Sequence, residues 1–428
     1  MRVPRYATVD LAGETVHGVA SRGKHLLMRI GDRVVHTHLK MEGEWRVLRP
    51  GQRWPHPAHR ARIVISTAEA VAIGFDLGIV EVFPADEEAE RLDHLGPDLL
   101  GDGPLTATLL AGGKSNLTYR IDGGARPLVL RRPPLGHVLR TAHDMAREFR
   151  VISALAHTDV PVPAAYVLVE DADGAAGVGT DFYLMELVDG SVLRTAADNA
   201  GYDPETLRGL GFRLVETLAA LHAIDPADVG LADFGRPDGY LARQVRRWGE
   251  QYDGSRSRDL PDLDRLLARV ADDLPETRFT SLLHGDFRLD NVLVAHDAEG
   301  RASVAAILDW EMATIGDSLA DLGLLGLYWN LSEVAPESPR LGLSAVDPAV
   351  GYPEFDELCA RYAELRGIRL PSLSWYLAFA ALKLAIIVEG IHYRHEAGET
   401  LGPGFDGIGD MVAPLARYGL RMLDEETH

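Results

Sequence analysis

The sequence predicts an α+β protein in which a small β-sandwich domain precedes a two-lobed domain, and three patterns carry that reading. In the first hundred residues, short apolar runs alternate with turn residues at the spacing of a sandwich or barrel. From Leu109 the pattern is a mixed sheet with one amphipathic helix, and from Asp203 onward it is mainly helical. Between His284 and Asp317, in HGDFRLDNVLVAHDAEGRASVAAILDWEMATIGD, an apolar β-branched hairpin is bracketed by carboxylate and amide side chains. The expected boundaries are residues 1–100 for the sandwich, 103–190 for the first lobe and 191–428 for the helical second lobe.

At 428 residues the chain is long enough for two or three domains, each with its own core. The formal charge of -21 excludes a generally basic, nucleic-acid-coating protein. Any phosphate-bearing ligand therefore needs local positive sites. Cys359 is the single cysteine, so neither an intramolecular disulfide nor a multi-cysteine zinc site can form, and a reducing, cytoplasmic setting is expected. The opening MRVPRYATVD lacks the apolar core of a signal peptide. Tyr376 to Val388, the best apolar run, is short and contains Lys383, so no membrane span is expected. No residue pattern specifies an oligomeric state.

Taken in order, the predicted strands are Val16 to Ala20, His25 to Ile30, Arg33 to His38, Glu44 to Leu48, Ala61 to Ser66 and Ala70 to Phe75. GKHLLMRI, HTHLKMEGEWRV and LGPDLL resemble the N-terminal domain of the Fpg/Nei family of DNA glycosylases over most of residues 1–100. That resemblance implies catalysis by an amino-terminal Pro followed by Glu, whereas this chain reads Met1-Arg2-Val3. It also implies that Lys24 contacts phosphate and Met41 fills the gap left by a flipped base; a solvated Lys and a core Met are the readings favoured here. The segment holds 13 Lys and Arg against 14 Asp and Glu, which gives no broad electrostatic footprint, and DNA binding is not expected. Pro84 to Thr106, with DEEAERLD and GPDLLGDGP, reads as the junction.

LLAGGKSNLTYRI predicts two strands around a Gly-rich turn, with Arg126 to Arg131 as the next strand. Without a Cβ in the way, backbone amides can approach phosphate, so Gly112, Gly113, Ser115 and Asn116 form a candidate phosphate-covering loop; a plain hairpin turn is the alternative. The embedded GKS is not a P-loop, because Thr108 stands where the motif needs Gly. The helix Ala142 to Ala156 carries Glu148 as a partner for Arg131. Asp181 to Leu187 predicts a strand. Asp203-Pro204 caps a helix lined by Leu207, Leu210, Leu214, Leu218 and Leu221, and Leu263 to Leu274 and Trp375 to Gly390 predict further helices. His392 and Arg394 are candidate substrate contacts or helix-end residues.

In the hairpin, Val292 to Ala295 pairs with Val304 to Leu308 around a turn at His296 to Arg301, so Asn291 and Asp309 meet at the open end with Asp286 one short loop upstream. A carboxylate with a carboxamide suits Mg²⁺, which takes hard oxygen ligands and keeps waters and substrate phosphates in its other positions. Asp286 is then free to orient a hydroxyl nucleophile. This is the residue set of kinase-type phosphoryl transfer.

HGDFRLDN followed by ILDWE resembles the aminoglycoside phosphotransferase family, in particular the branch whose domain is also found joined to acyl-CoA dehydrogenases. The resemblance implies a two-lobed protein-kinase-like fold and ATP- and Mg-dependent phosphorylation of a small-molecule hydroxyl. It implies Asp286 as catalytic residue, Asn291 and Asp309 as metal ligands, and Arg131 with Glu148 positioning nucleotide phosphates, Arg standing where the family at large often has Lys. It further implies adenine contacts from the backbone of Glu186 to Val188. ADFG, ending at Gly235, precedes HGD, the wrong order for a metal-binding triplet, and reads as a loop; Asp317 reads as a helix cap or a brace of the site. A hydroxyacyl group or its CoA thioester is the acceptor this branch implies. Alternatives are an aminoglycoside or other small alcohol, a catalytically silent kinase-like binding protein, and a DNA-repair glycosylase, against which the absent Pro-Glu start argues.

Overall fold

A computed structural model describes residues 9–22, 25–38, 43–88, 91, 105–110, 116–134, 144–171, 178–296, 301–334, 344–398 and 407–425. Gly112, Gly113, Ser115, Lys24, Met41, the start of the chain and most of the junction lie outside them. The chain divides into two units, residues 1–108 with 120–128, and residues 109–119 with 129–428.

Among the described residues, the first hundred positions hold seven strands: β1 (Val16–Arg22), β2 (His25–Ile30), β3 (Arg33–His38), β4 (Glu44–Leu48), β5 (Ala61–Ser66), β6 (Val71–Phe75) and β7 (Ile79–Pro84). They form an antiparallel sheet in the order β1-β2-β3-β7 and a second in the order β4-β6-β5. Six of these strands were predicted. The seventh, β7, completes the first sheet by pairing with β3 in the register Val35↔Val82. Alternate residues bury Met28, Ile30, Val35, Ile63, Leu77 and Val80 in one apolar cluster.

The next strands are β8 (Thr106–Leu109), β9 (Leu117–Asp122), β10 (Leu128–Arg132), β11 (Ala165–Val169) and β12 (Phe182–Glu186), in the sheet order β11-β12-β10-β9-β8. β10 starts two residues later than predicted, after Pro127, which has no N–H to give a ladder. The helix Met145–Leu155 starts three residues later than predicted, with Asp144 accepting from the Arg147 amide at 2.9 Å. Val151, Ile152 and Leu155 form its buried face and Glu148 is buried with them.

Beyond Glu186 the second unit is mainly helical: Pro204–Ala223, Tyr240–Ser255, Pro261–Asp272, Leu319–Trp329, Phe355–Arg366, Ser374–Glu396 and Val412–Glu425 are its longer helices. Asp203 caps the first of these by accepting from Thr206 N at 2.7 Å, and Pro204 occupies its first turn. Ser374–Glu396 is longer than the run read from the sequence. Its length and composition would let it cross a membrane, but most of it packs inside this unit, from Trp375 through Gly390. Two short antiparallel ribbons cross the helical part: β13 (Thr280–Leu283) with β16 (Thr314–Asp317), and β14 (Val292–His296) with β15 (Ala302–Ile307). The first was not predicted, because four-residue strands show too little alternation to be read.

Candidate active site

The two ribbons deliver the acidic residues to one place. β13 runs into His284, and the chain then turns sharply at Gly285, whose φ of 82° is left-handed. A Cβ there would lie 2.5 Å from the Met312 carbonyl oxygen, so only glycine lets the loop cross the β15–β16 connection this closely. After Asp286 a single turn, Leu289–Asn291, leads into β14. β14 and β15 pair in the register Val292↔Ile307, and the Leu308 amide donates to the Asn291 carbonyl at 2.8 Å. Asn291 is thus bonded across the open end of the hairpin to the residue before Asp309. Asp309 sits at φ 66°, one of only two non-glycine residues with positive φ among the described residues. The turn into Trp310–Met312 therefore swings its carboxylate out of the strand direction.

Side-chain contacts tie the acidic groups together. Asn291 Nδ2 donates to both the carbonyl oxygen and Oδ2 of Asp286, each at 2.8 Å, which leaves Asn291 Oδ1 as the uncommitted end of the amide. Arg131, at the end of β10, is 8% exposed and grips Glu148 bidentately, with Nε and Nη2 both at 2.9 Å. Nη1 donates to Thr118 at 3.3 Å, and Nη2 also reaches Asp309 Oδ1. Tyr183 donates to Glu148 at 3.2 Å. Burial works to lower the Arg131 pKa, yet the Glu148 and Asp309 carboxylates hold it above the ordinary value. Burial also pushes the Glu148 carboxyl up, against the pull of Arg131. Asn116 is fully buried and donates to Glu311 at 3.1 Å, two residues beyond Asp309. Arg131, Glu148 and Asp309 therefore form one side-chain group, with Asn116 beside it through Glu311, and Asn291 with Asp286 a second, joined to the first through the Leu308 amide.

Glu186 stands apart from these contacts. Its amide donates to the Ala164 carbonyl at 2.9 Å and its carboxylate accepts from Ala164 N at 3.1 Å. The expectation that Glu186 offers its backbone to an adenine is corrected to this extent: its N–H is already used within the sheet edge.

Several residues that hold the site were not singled out from the sequence. His284 is buried; its Nδ1 accepts from the Asp286 amide at 3.2 Å and its Nε2 donates to the Leu308 carbonyl at 2.8 Å, which ties both segments to one ring. Asp321, in the first turn of Leu319–Trp329, accepts from His284 N at 2.7 Å and Gly285 N at 2.9 Å. Behind it His222 bridges Asp321 (3.3 Å) and the Tyr362 hydroxyl (2.7 Å). Burial pushes the His222 imidazole below its ordinary pKa, so it sits neutral, while Asp321, despite its own burial, is held low by His222 and the loop amide. Lys383 Nζ donates to the Gly285 carbonyl at 2.7 Å, and burial pushes its ammonium pKa down. Asp317 is not the cap read for it: Ser318 is the N-cap of Leu319–Trp329, and Asp317, one residue before it, accepts from Leu319 N at 3.0 Å and from the Tyr376 hydroxyl at 2.9 Å. ADFG is a loop, on whose Phe234 ring Arg147 stacks at 3.8 Å.

This arrangement can hold a hydroxyl at Asp286 and hard-oxygen ligands at Asn291 and Asp309. The model of the phosphotransferase enzyme family matches residues 106–358. The chain belongs to this family. A solved Ralstonia eutropha protein described as a candidate aminoglycoside phosphotransferase superposes with a TM-score of 0.65 at 30% identity, covering 80% of this chain and 99% of that one. Acyl-CoA dehydrogenase family member 11 of Rattus norvegicus is 36% identical over 321 residues, 74% of this chain. The chain spans about 40% of the length of that relative. The model of the formamidopyrimidine-DNA glycosylase N-terminal domain matches residues 2–76. The Streptomyces coelicolor protein named "Probable endonuclease 8 2" is 53% identical over 102 residues, 23% of this chain and 37% of that protein. This phosphotransferase thus has the kinase-like fold, preceded by antiparallel sheets.

Proposed function

We propose that the protein uses ATP and Mg²⁺ to phosphorylate the hydroxyl of a small molecule, and that the acceptor is a hydroxyacyl group or its CoA thioester. The observation that carries the reading is the pinning of Asn291 Nδ2 on Asp286 beside Asp309. It leaves the amide oxygen of Asn291 uncommitted at the hairpin end that also carries Asp309. That donor set fits Mg²⁺: both ligands are hard oxygens, and the remaining positions fall to water and phosphate. When bound, the ion would neutralise charge on the nucleotide phosphates. Asp286 orients the acceptor hydroxyl and takes its proton. Arg131, locked on Glu148, positions nucleotide phosphates from the β10 side, and the Glu186 carbonyl and Val188 offer backbone groups to the base. Most of the rate enhancement comes from positioning and charge neutralisation.

The acceptor class rests on the relatives named as acyl-CoA dehydrogenase family members, whose further length this chain does not span. The test is transfer of the γ-phosphate to a panel of hydroxy acids, hydroxyacyl-CoA thioesters and aminoglycosides. Phosphorylation of hydroxyacyl compounds is expected. Turnover of aminoglycosides alone would transfer the function to that class.

A further inference from the structure

Lys383 stands in the middle of an apolar helix, and its contact with the loop before Asp286 uses only part of its ammonium. One of its N–H groups donates to the Gly285 carbonyl at 2.7 Å, and an ammonium has three. The Trp248 ring lies 5.6 Å from Nζ, and no carboxylate among the described residues forms an ion pair with it. Two helices bring side chains to this place. Tyr240, Gln244 and Trp248 recur every fourth residue along Tyr240–Ser255, as Phe379 and Lys383 do along Ser374–Glu396, so each set occupies one helix face. Both faces line one cleft, together with Gly285 and Asp321. The Asp321 carboxylate is already taken by the His284 and Gly285 amides. Gln244 is partly exposed, and its amide has no hydrogen-bond partner among the described residues. The cleft thus offers aromatic rings, a cation with donors to spare and a free amide, which is a place for an apolar chain that ends in acceptor oxygens.

Gly285 is the residue before Asp286, so a molecule held by Lys383 lies beside the carboxylate proposed to orient the hydroxyl. We infer that Lys383 is a specificity-determining residue that donates to the acyl oxygen of the acceptor, a carboxylate or a thioester carbonyl, with the acyl chain against Trp248 and Phe379 and Gln244 as a second polar contact. This rests on the hydroxyacyl reading of the acceptor and adds the residue that selects it. A fixed ammonium in the cleft also repels polycations, which sets this site apart from one built for aminoglycosides. Lys383 exchanges no proton in the transfer step.

The test uses the full chain with MgATP and three acceptor series of matched carbon chains: hydroxy acids, their CoA thioesters, and diols, which keep the hydroxyl and lack the acyl oxygen. Wild-type protein should prefer the acyl compounds. Lys383→Met should lower kcat/KM for them about 10–100-fold more than for the diols, with the excess in KM, and K383R should restore part of it. The diols report what losing the Gly285 contact costs by itself, so a Lys383 that only props the loop would lower all three series alike. An excess confined to the acids identifies the carboxylate as the group held, and one confined to the thioesters identifies the thioester carbonyl. Gln244→Leu, which has no contact with the loop to lose, should lower the same preference about threefold and carries the test if K383M does not fold. The inference is overturned if the folded variant keeps the wild-type ratio of acyl compounds to diols, or if the wild type turns over diols as well as acyl compounds. Transfer to aminoglycosides alone, or to no acceptor, would bring down the hydroxyacyl reading itself, and the inference with it.

Discussion

In the first unit the buried His36 is satisfied by cross-strand neighbours; in the second, a set of polar contacts spans long stretches of chain and ends at one loop. His36 lies directly opposite Glu81 in the β3–β7 ladder and bonds to it at 3.2 Å, and His25 on the adjacent strand bonds to His36 at 2.8 Å. Such contacts stabilise a sheet where they stand. Arg131 with Asp309, His284 with Asp321 and Asn116 with Glu311 join residues far apart in sequence, and each ends beside Asp286 or Asp309. The charge divides in the same way: residues 1–100 are nearly balanced, so almost all of the net -21 lies in the rest of the chain. Similarity alone ranks the two regions otherwise, since the glycosylase-type segment has a relative at 53% identity and the phosphotransferase segment one at 36%. The proposed chemistry follows the convergence of polar groups.

The sharpest way to break that contrast is a pair of substitutions, one in each region. Asp286→Asn keeps the shape of the loop and removes the proposed proton acceptor, and phosphoryl transfer should fall by about 10²–10⁴-fold with ATP binding largely kept. Ile73→Ala hollows the fully buried centre of the second sheet, and should destabilise the first unit by at least about 2 kcal/mol while transfer by the intact second unit persists. Steady-state kinetics beside calorimetric melting would check both. Unchanged transfer in D286N would refute the placement of the chemistry.

A smaller effect is expected one layer behind. Asp321→Ala leaves the His284 and Gly285 amides and His222 without their acceptor, which should cost about 3 kcal/mol of stability and lower turnover, because the loop carrying Asp286 loses its anchor. A melting temperature within about 1 °C of wild type would show that the anchor is dispensable.

The smallest effect is a pH dependence. The His222 pKa is lowered from 6.5, so the folded state binds its proton less well than the unfolded chain does. Its contribution is present above that unfolded value and is lost as pH falls through 6.5 toward the depressed folded pKa. Wild-type protein should therefore lose melting temperature between about pH 7.5 and 5.5 more steeply than His222→Gln. Parallel curves would remove His222 from the account.

What could be read from the sequence was what is local. The β14–β15 pairing brings Asn291 against Leu308, next to Asp309, and the pairing of Arg131 with Glu148 links a strand to the helix that follows it. The reach of Arg131 onward to Asp309 spans most of the second unit, and nothing at either position signals it. The role of Asp321 could not be read, because the groups it serves are backbone amides 36 and 37 residues away, which have no sequence signature. β7 was missed for the same reason, as its identity depends on pairing with β3 across more than forty residues. Gly112, Gly113 and Ser115 lie outside the described residues, so the phosphate-covering loop stays a reading of the sequence together with Asn116.

The account stands most directly on whether Asn291 and Asp309 make nucleotide binding depend on metal. Titration calorimetry of ATP with Mg²⁺ and with a chelator, on the wild type and on Asp309→Asn, measures this. Mg²⁺ should tighten ATP binding to the wild type by tenfold or more, about 1.4 kcal/mol, and the gain should vanish in D309N. Equal affinities with and without Mg²⁺ in the wild type, or an undiminished gain in D309N, would contradict it.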